Sequence, residues 1–223
     1  MNRLLAAWLL VCLAAPAAAD GFRLLEIDEV NVKWGAAERG AGAEVSYGFA
    51  ERPQAFPDAI NCGRLAPMAV LTEVWQGDPA RLGRLAARAF AMWSREADLR
   101  FRRAAPGETP DILIGVQGEP ERIAFANVWH GPDAGGGVGP LTAATICFNP
   151  EPAWSAGEGP LAPGGLDLGT VLAHEIGHAI GLDHPGPTGA LMGYRNQGSI
   201  ERLMPGDIAG ARALYGPPRR ADQ

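Results

Sequence analysis

The sequence predicts a single α+β domain, and three observations carry that prediction. Short β-rich runs bounded by glycine and proline recur between Glu44 and Phe148. Two longer segments, from Asp78 and from Leu168, repeat their apolar residues at helical spacing. The 223 residues, 47% of them hydrophobic, suffice for one sizeable core, and no internal repeat or second domain is visible.

In chain order, the first 19 residues read as a secretory signal. Arg3 supplies the positive start, Leu4 to Leu13 the apolar run, and Ala17-Ala18-Ala19 a small-residue cleavage site before Asp20. The run is too short to span a bilayer. A lipoprotein signal on Cys12 is the alternative, and Val11 directly before that cysteine argues against it. From Asp20 to Lys33 a loosely alternating lead-in is expected, then a strand over Glu44–Phe49. Residues 50–77, with Pro53, Pro57 and Pro67, read as an irregular excursion carrying Cys62.

Asp78-Pro79 combines a capping residue with proline at the first helical position. In the helix that follows, Leu82, Leu85, Ala86, Ala89, Phe90 and Trp93 form the core stripe, and Arg81, Arg84, Arg88 and Arg95 a solvated face. Strands are expected over Leu99–Arg103, Asp111–Val116, Ala124–Trp129 and Thr142–Phe148. The stretch from Asn149 to Gly165, rich in proline and glycine, leads to the second helix. A last helix is expected over Pro205–Leu214, then a disordered tail, 217–223.

The helix from Leu168 holds the chemistry. At roughly 100° per residue, His174 and His178 lie about 40° apart on one face, with Glu175 about 60° further round. Leu172, Ile176, Ala179 and Ile180 take the opposite side, and Gly181 offers the left-handed conformation that ends a helix. The chain can then bring His184 back towards the other two. Three of the chain's four histidines converge in this way. Three imidazoles suit one Zn2+ ion with an open fourth position for water. Glu175 is placed to take a proton from that water and pass it on.

His174-Glu175-x-x-His178-x-x-Gly181-x-x-His184 resembles the signature of the metzincin metallopeptidases. Ala190-Leu191-Met192-Gly193-Tyr194 resembles their methionine turn, which implies Met192 as an apolar floor beneath the metal. The resemblance is closest to the matrixins. Lys33-Trp34, Ala89-Phe90-x-x-Trp93, Asp111 to Ile114, and Gly206-Asp207-Ile208 to Gly216 all look like segments of a matrixin catalytic domain. The resemblance, running with gaps from about Lys33 to Gly216, implies a twisted, mostly parallel sheet, an active-site helix and a C-terminal helix over residues 20–216. The strand before the active-site helix would line the cleft, where an extended substrate adds itself by backbone hydrogen bonds.

The implied activity is secreted zinc metalloendopeptidase chemistry, with His174, His178 and His184 as metal ligands and Glu175 as general base and acid. The alternative is a secreted zinc-binding interaction protein that has lost turnover. Tyr194 resembles the tyrosine that astacins and serralysins place at the metal, which implies a hydrogen bond to the developing oxyanion. A tyrosine packed in the cleft wall is the other reading.

The sequence also departs from the family pattern. A second, structural zinc is not supported, because Phe125 and Cys147 stand where matching would place histidines, and His130 reads as a loop residue. Calcium is not supported either: Asp133 lies in a glycine-rich loop without an acidic cluster. No conventional propeptide fits between Asp20 and Lys33, and Cys62-Gly63 only superficially resembles a latency segment. Once the leader is removed, Cys62 and Cys147 remain, and in an oxidising compartment the even pair suggests one disulfide, with two separate buried thiols as the alternative. Such a bridge would staple the region of the missing metal. Net charge is −6 before leader removal, which disfavours nucleic acid or anionic membrane as partner. A protein or peptide substrate, an extracellular or periplasmic location and a monomer complete the expectation.

Overall fold

The computed structural model describes residues 21–75, 78–133, 135–155, 164–186, 190–193 and 198–219. The expected leader and cleavage site, Tyr194 and the end of the tail lie outside them. The lead-in holds three short strands, β1 (Arg23–Leu24), β2 (Glu26–Ile27) and β3 (Val30–Lys33). The first long strand, β4, covers Ala43–Phe49. The excursion expected to be irregular contains an antiparallel hairpin, β5 (Gln54–Ala55) with β6 (Arg64–Ala66), and a helix, α1 (Ala69–Trp75). Seven residues after Pro67 are too few for a helical period to stand out from the proline-rich sequence around them.

The second helix, α2, spans Pro79–Ser94, and the Asp78 side chain accepts from Ala80 N at 2.9 Å as the capping residue. Strands β7 (Leu99–Arg103), β8 (Ile112–Gln117), β9 (Ala124–His130) and β10 (Val138–Phe148) follow. β10 starts four residues earlier than expected, because Val138–Pro140 pair with Asn31–Lys33 of β3. Two-residue strands β11 (Trp154–Ser155) and β12 (Leu166–Asp167) precede α3 (Leu168–Ala179). After it come β13 (Leu182–Asp183) and α4 (Pro205–Tyr215).

The sheet is mostly parallel. β3, β10, β8, β4 and β7 run in that order with parallel pairing throughout. β9 joins antiparallel, pairing with β10 from Leu141 to Phe148 along the edge that β3 leaves free. Strand alternation sorts the two faces. Ile112, Ile114 and Val116 of β8, with Ala144, Ile146 and Phe148 of β10, enter the main core against α2 and α3. Leu113, Phe125 and Cys147 point the other way, into a small second cluster with Ala50, Leu65, Phe56 and Cys62. Cys62 and Cys147 are joined as a disulfide, with their Cα atoms 6.7 Å apart.

Aromatic donors fix α3 against its neighbours. The Trp93 indole donates to Ala173 O at 2.9 Å and the Trp34 indole to Ala179 O at 2.8 Å. The Tyr215 hydroxyl donates to Ile180 O at 2.7 Å and accepts from Trp34 N at 3.0 Å. The end of the lead-in, the end of α3 and α4 therefore meet at one phenol. The expected tail from Pro217 is held as far as Arg219, whose Nε lies 2.7 Å from Asp98 Oδ2.

Removing that phenol leaves Trp34 N–H buried without its acceptor. Tyr215→Phe should lower unfolding stability by about 1–3 kcal/mol, measured as a shift in urea midpoint. An unchanged midpoint would show that Trp34 N–H finds another partner.

Candidate metal centre

Helix α3 begins where Asp167 turns its carboxylate onto Thr170 N at 2.7 Å. It ends before Gly181, whose φ of +99° turns the chain as expected from its sequence. No side chain fits there, since a Cβ would overlap the Val32 carbonyl. The chain then passes through β13, which pairs with β1, and returns His184 to the helix face.

The three histidines meet at their Nε2 atoms. His174 and His184 are 3.0 Å apart there, and His178 lies 3.2 Å from each. A tetrahedral ion at ordinary zinc–nitrogen distance would space its ligands by about 3.3 Å. The Nδ1 atoms explain how the Nε2 atoms can face one another. His174 Nδ1 donates to Leu191 O at 2.6 Å and His178 Nδ1 to Leu182 O at 2.8 Å. A carbonyl can only accept, so each ring carries its proton on Nδ1 and turns a bare Nε2 inward. Burial also lowers the imidazoles' proton affinity, to a pKa of about 4 for His174 and about 3 for His178. His184 shifts in the same direction, chiefly for the same reason. Converging nitrogen lone pairs at these distances repel unless a cation lies between them, and a neutral three-imidazole set suits zinc. Among the described residues, this is the group placed to hold a metal.

Glu175 is buried beside the triad, and burial raises its carboxyl pKa to about 8. Together with the histidines it lines a cleft of about 720 Å³ that runs past Ala124, Ala126 and Val128 of β9. Met192 is buried beneath α3, where a Cβ on Gly177 would overlap its sulfur and come within 2.9 Å of Trp93. Glycine at 177 is what lets the turn close under the helix.

That turn has a support that sequence reasoning missed. The buried carboxylate of Asp207, in the first turn of α4, accepts from Leu191 N at 2.9 Å, Met192 N at 3.0 Å and Met204 N at 2.9 Å. Leu191 in turn orients His174 through its carbonyl. Asp207 lies in the matrixin-like Gly206-Asp207-Ile208 segment, but its role is not marked there: an acid in the first turn of a helix reads equally as a capping residue. Asp183 was missed as well. It accepts from His184 N at 2.7 Å and pairs with Arg23 at 3.0 Å.

Other singled-out residues lie elsewhere. His130 ends β9, with Nδ1 2.8 Å from Gly131 O and Nε2 3.5 Å from Asp28. The Asp133 carboxylate is taken up by the backbone N–H groups of Gly135, Gly136 and Gly137. Phe125 sits directly opposite Cys147 in the β9–β10 ladder, on the outer face of the sheet.

The chain is similar to known proteins of one family. The family model for matrixin matches residues 70–216, more than half of the chain. Matrilysin of Felis catus is 34% identical over 147 residues, 59% of this chain and 50% of that protein. Matrix metalloproteinase-19 of Mus musculus is 35% identical over 133 residues, 57% of this chain and 24% of that protein. Karilysin of the bacterium Tannerella forsythia is 31% identical over 139 residues, 58% of this chain and 28% of that protein. The chain thus spans half or less of the length of these relatives.

The link from Asp207 to His174 can be measured. Asp207→Asn removes an acceptor and turns an N–H towards an N–H. Zinc affinity should fall about tenfold or more, read by competition with a chromogenic chelator. Wild-type affinity in that variant would show that the turn holds Leu191 without the carboxylate.

Proposed function

This chain belongs to the matrixin family, and from that footing we propose that it is a secreted zinc endopeptidase that hydrolyses peptide bonds within extended protein substrates. The family is one of zinc metalloendopeptidases. The observation that carries the reading is the convergence of three imidazole Nε2 atoms 3.0–3.2 Å apart, those of His174 and His178 left proton-free by their Nδ1 bonds, with Glu175 buried in the same cleft.

In this reading His174, His178 and His184 hold the ion, and when bound it polarises the scissile carbonyl and acidifies the attacking water. Glu175 takes the proton of that water as the new C–O bond forms. It then delivers the proton to the leaving nitrogen as the C–N bond breaks. Asp207 and Leu191 keep His174 in one tautomer, and Met192 fills the space beneath the helix.

The substrate's place follows from the sheet edges. β7 ends one side with Arg100, Arg102 and Arg103, charges that discourage strand addition. β9 ends the other side with Ala-Phe-Ala-Asn-Val-Trp, uncharged and open along the cleft. An extended peptide can pair with β9 and present its carbonyl to the histidine face. Secretion fits the disulfide, which persists in oxidising compartments. Among the described residues no helix is long and apolar enough to cross a membrane.

Casein cleavage by the mature chain should require zinc and stop with a chelator. Glu175→Gln should retain zinc while turnover falls by on the order of 10²–10⁴-fold. Stoichiometric zinc in a wild-type protein that cleaves nothing would overturn the assignment.

A further inference from the structure

The outer rim of the cleft is built by a segment that the metal chemistry does not use. Residues 56–63 form a closed loop, with Phe56 N donating to Gly63 O and Ala59 N to Phe56 O, at 2.8 and 3.0 Å. Three attachments press this loop onto the outer face of the sheet. Cys62 is bonded to Cys147 of β10. Asn61 N donates to Asn127 Oδ1 of β9 at 2.9 Å, and the Asn127 amide is itself fixed by Thr145. The Phe56 ring lies 5.7 Å from that of Trp129. Cys62 adopts φ +40°, a conformation that non-glycine residues keep only where their surroundings impose it.

A loop held this firmly carries Ile60 with 92% of its surface in solvent. The next residue, Asn61, lines the same cleft as His174 and Glu175. A peptide paired with β9 alternates its side chains between the two faces of the sheet. Those on the helix side enter the cavity. Those on the other side lie over the outer face, where the loop carrying Ile60 and Asn61 is attached.

Resting on the endopeptidase reading, we propose that the disulfide-anchored loop 56–63 is a substrate-binding rim, in which Ile60 receives an apolar side chain one residue out of phase with those entering the cavity. The rim selects substrates rather than acting on the reacting atoms. Its ligand is an extended, unmodified peptide with an apolar residue at the outward position.

The test uses the zinc-loaded Glu175→Gln protein, so binding is read without turnover. A single leucine is walked along fluorescein-labelled ten-residue serine–glycine peptides, and affinity is measured by anisotropy. Leucine should help at a cavity-facing position and again at an outward-facing one. Ile60→Ser should reduce the outward gain about fivefold and leave the inward gain in place, while Ile60→Leu keeps both. Ile60 is exposed, so neither change threatens folding. Equal outward gains in Ile60→Ser and the parent protein would overturn the rim while leaving the endopeptidase reading intact. No binding of any peptide by the zinc-loaded protein would overturn both.

Discussion

The hydrogen bond from His174 Nδ1 to the Leu191 carbonyl is the constraint on which the rest of the site depends. Without it, nothing decides which ring nitrogen carries the proton or where the ring points. The bond requires the chain to return beneath α3 after seventeen residues. That return requires glycine at 177, because Met192 occupies the space a side chain would need. It also requires an acceptor for the N–H groups of Leu191 and Met192, which Asp207 provides from another helix. Each demand is met by one residue, and the residues are spread over three segments.

The sheet divides its work between two faces and two edges. One face carries the large core and positions α3. The other carries a seven-residue apolar cluster, closed by a covalent bridge, in the place where the sequence pattern of the family would lead one to look for a second metal. A cross-link and a few apolar side chains hold β9, β10 and the outer loop together there. The β7 edge is charged and the β9 edge is not, which leaves one strand open to a partner.

Much of this was legible in the sequence because its signals are local. A histidine pair four residues apart, a third histidine after a helix-ending glycine, and the Asp78-Pro79 cap each declare themselves within a few turns. The matrixin resemblance added the mostly parallel sheet, which no single segment encodes. The contacts that support the three histidines were not legible. Asp207 and Leu191 are sixteen residues apart, and Arg23 and Asp183 pair across 160 residues, so nothing in either neighbourhood announces the other. The α1 helix was hidden by its brevity and by the prolines before it. Cys62 and Cys147 could be read two ways, because bridging depends on a Cα separation that sequence does not give.

The meeting of Trp34, Ile180 and Tyr215 at one phenol has a consequence for the order in which the molecule can be made. On the ribosome, the histidine segment emerges well before α4. Until α4 follows, Ile180 and Trp34 lack their shared partner, and the turn under His174 has no carboxylate to close on. The three-histidine centre is therefore completed only once α4 has been made. A nascent chain still on the ribosome can carry all three histidines but not yet the scaffold that aims them.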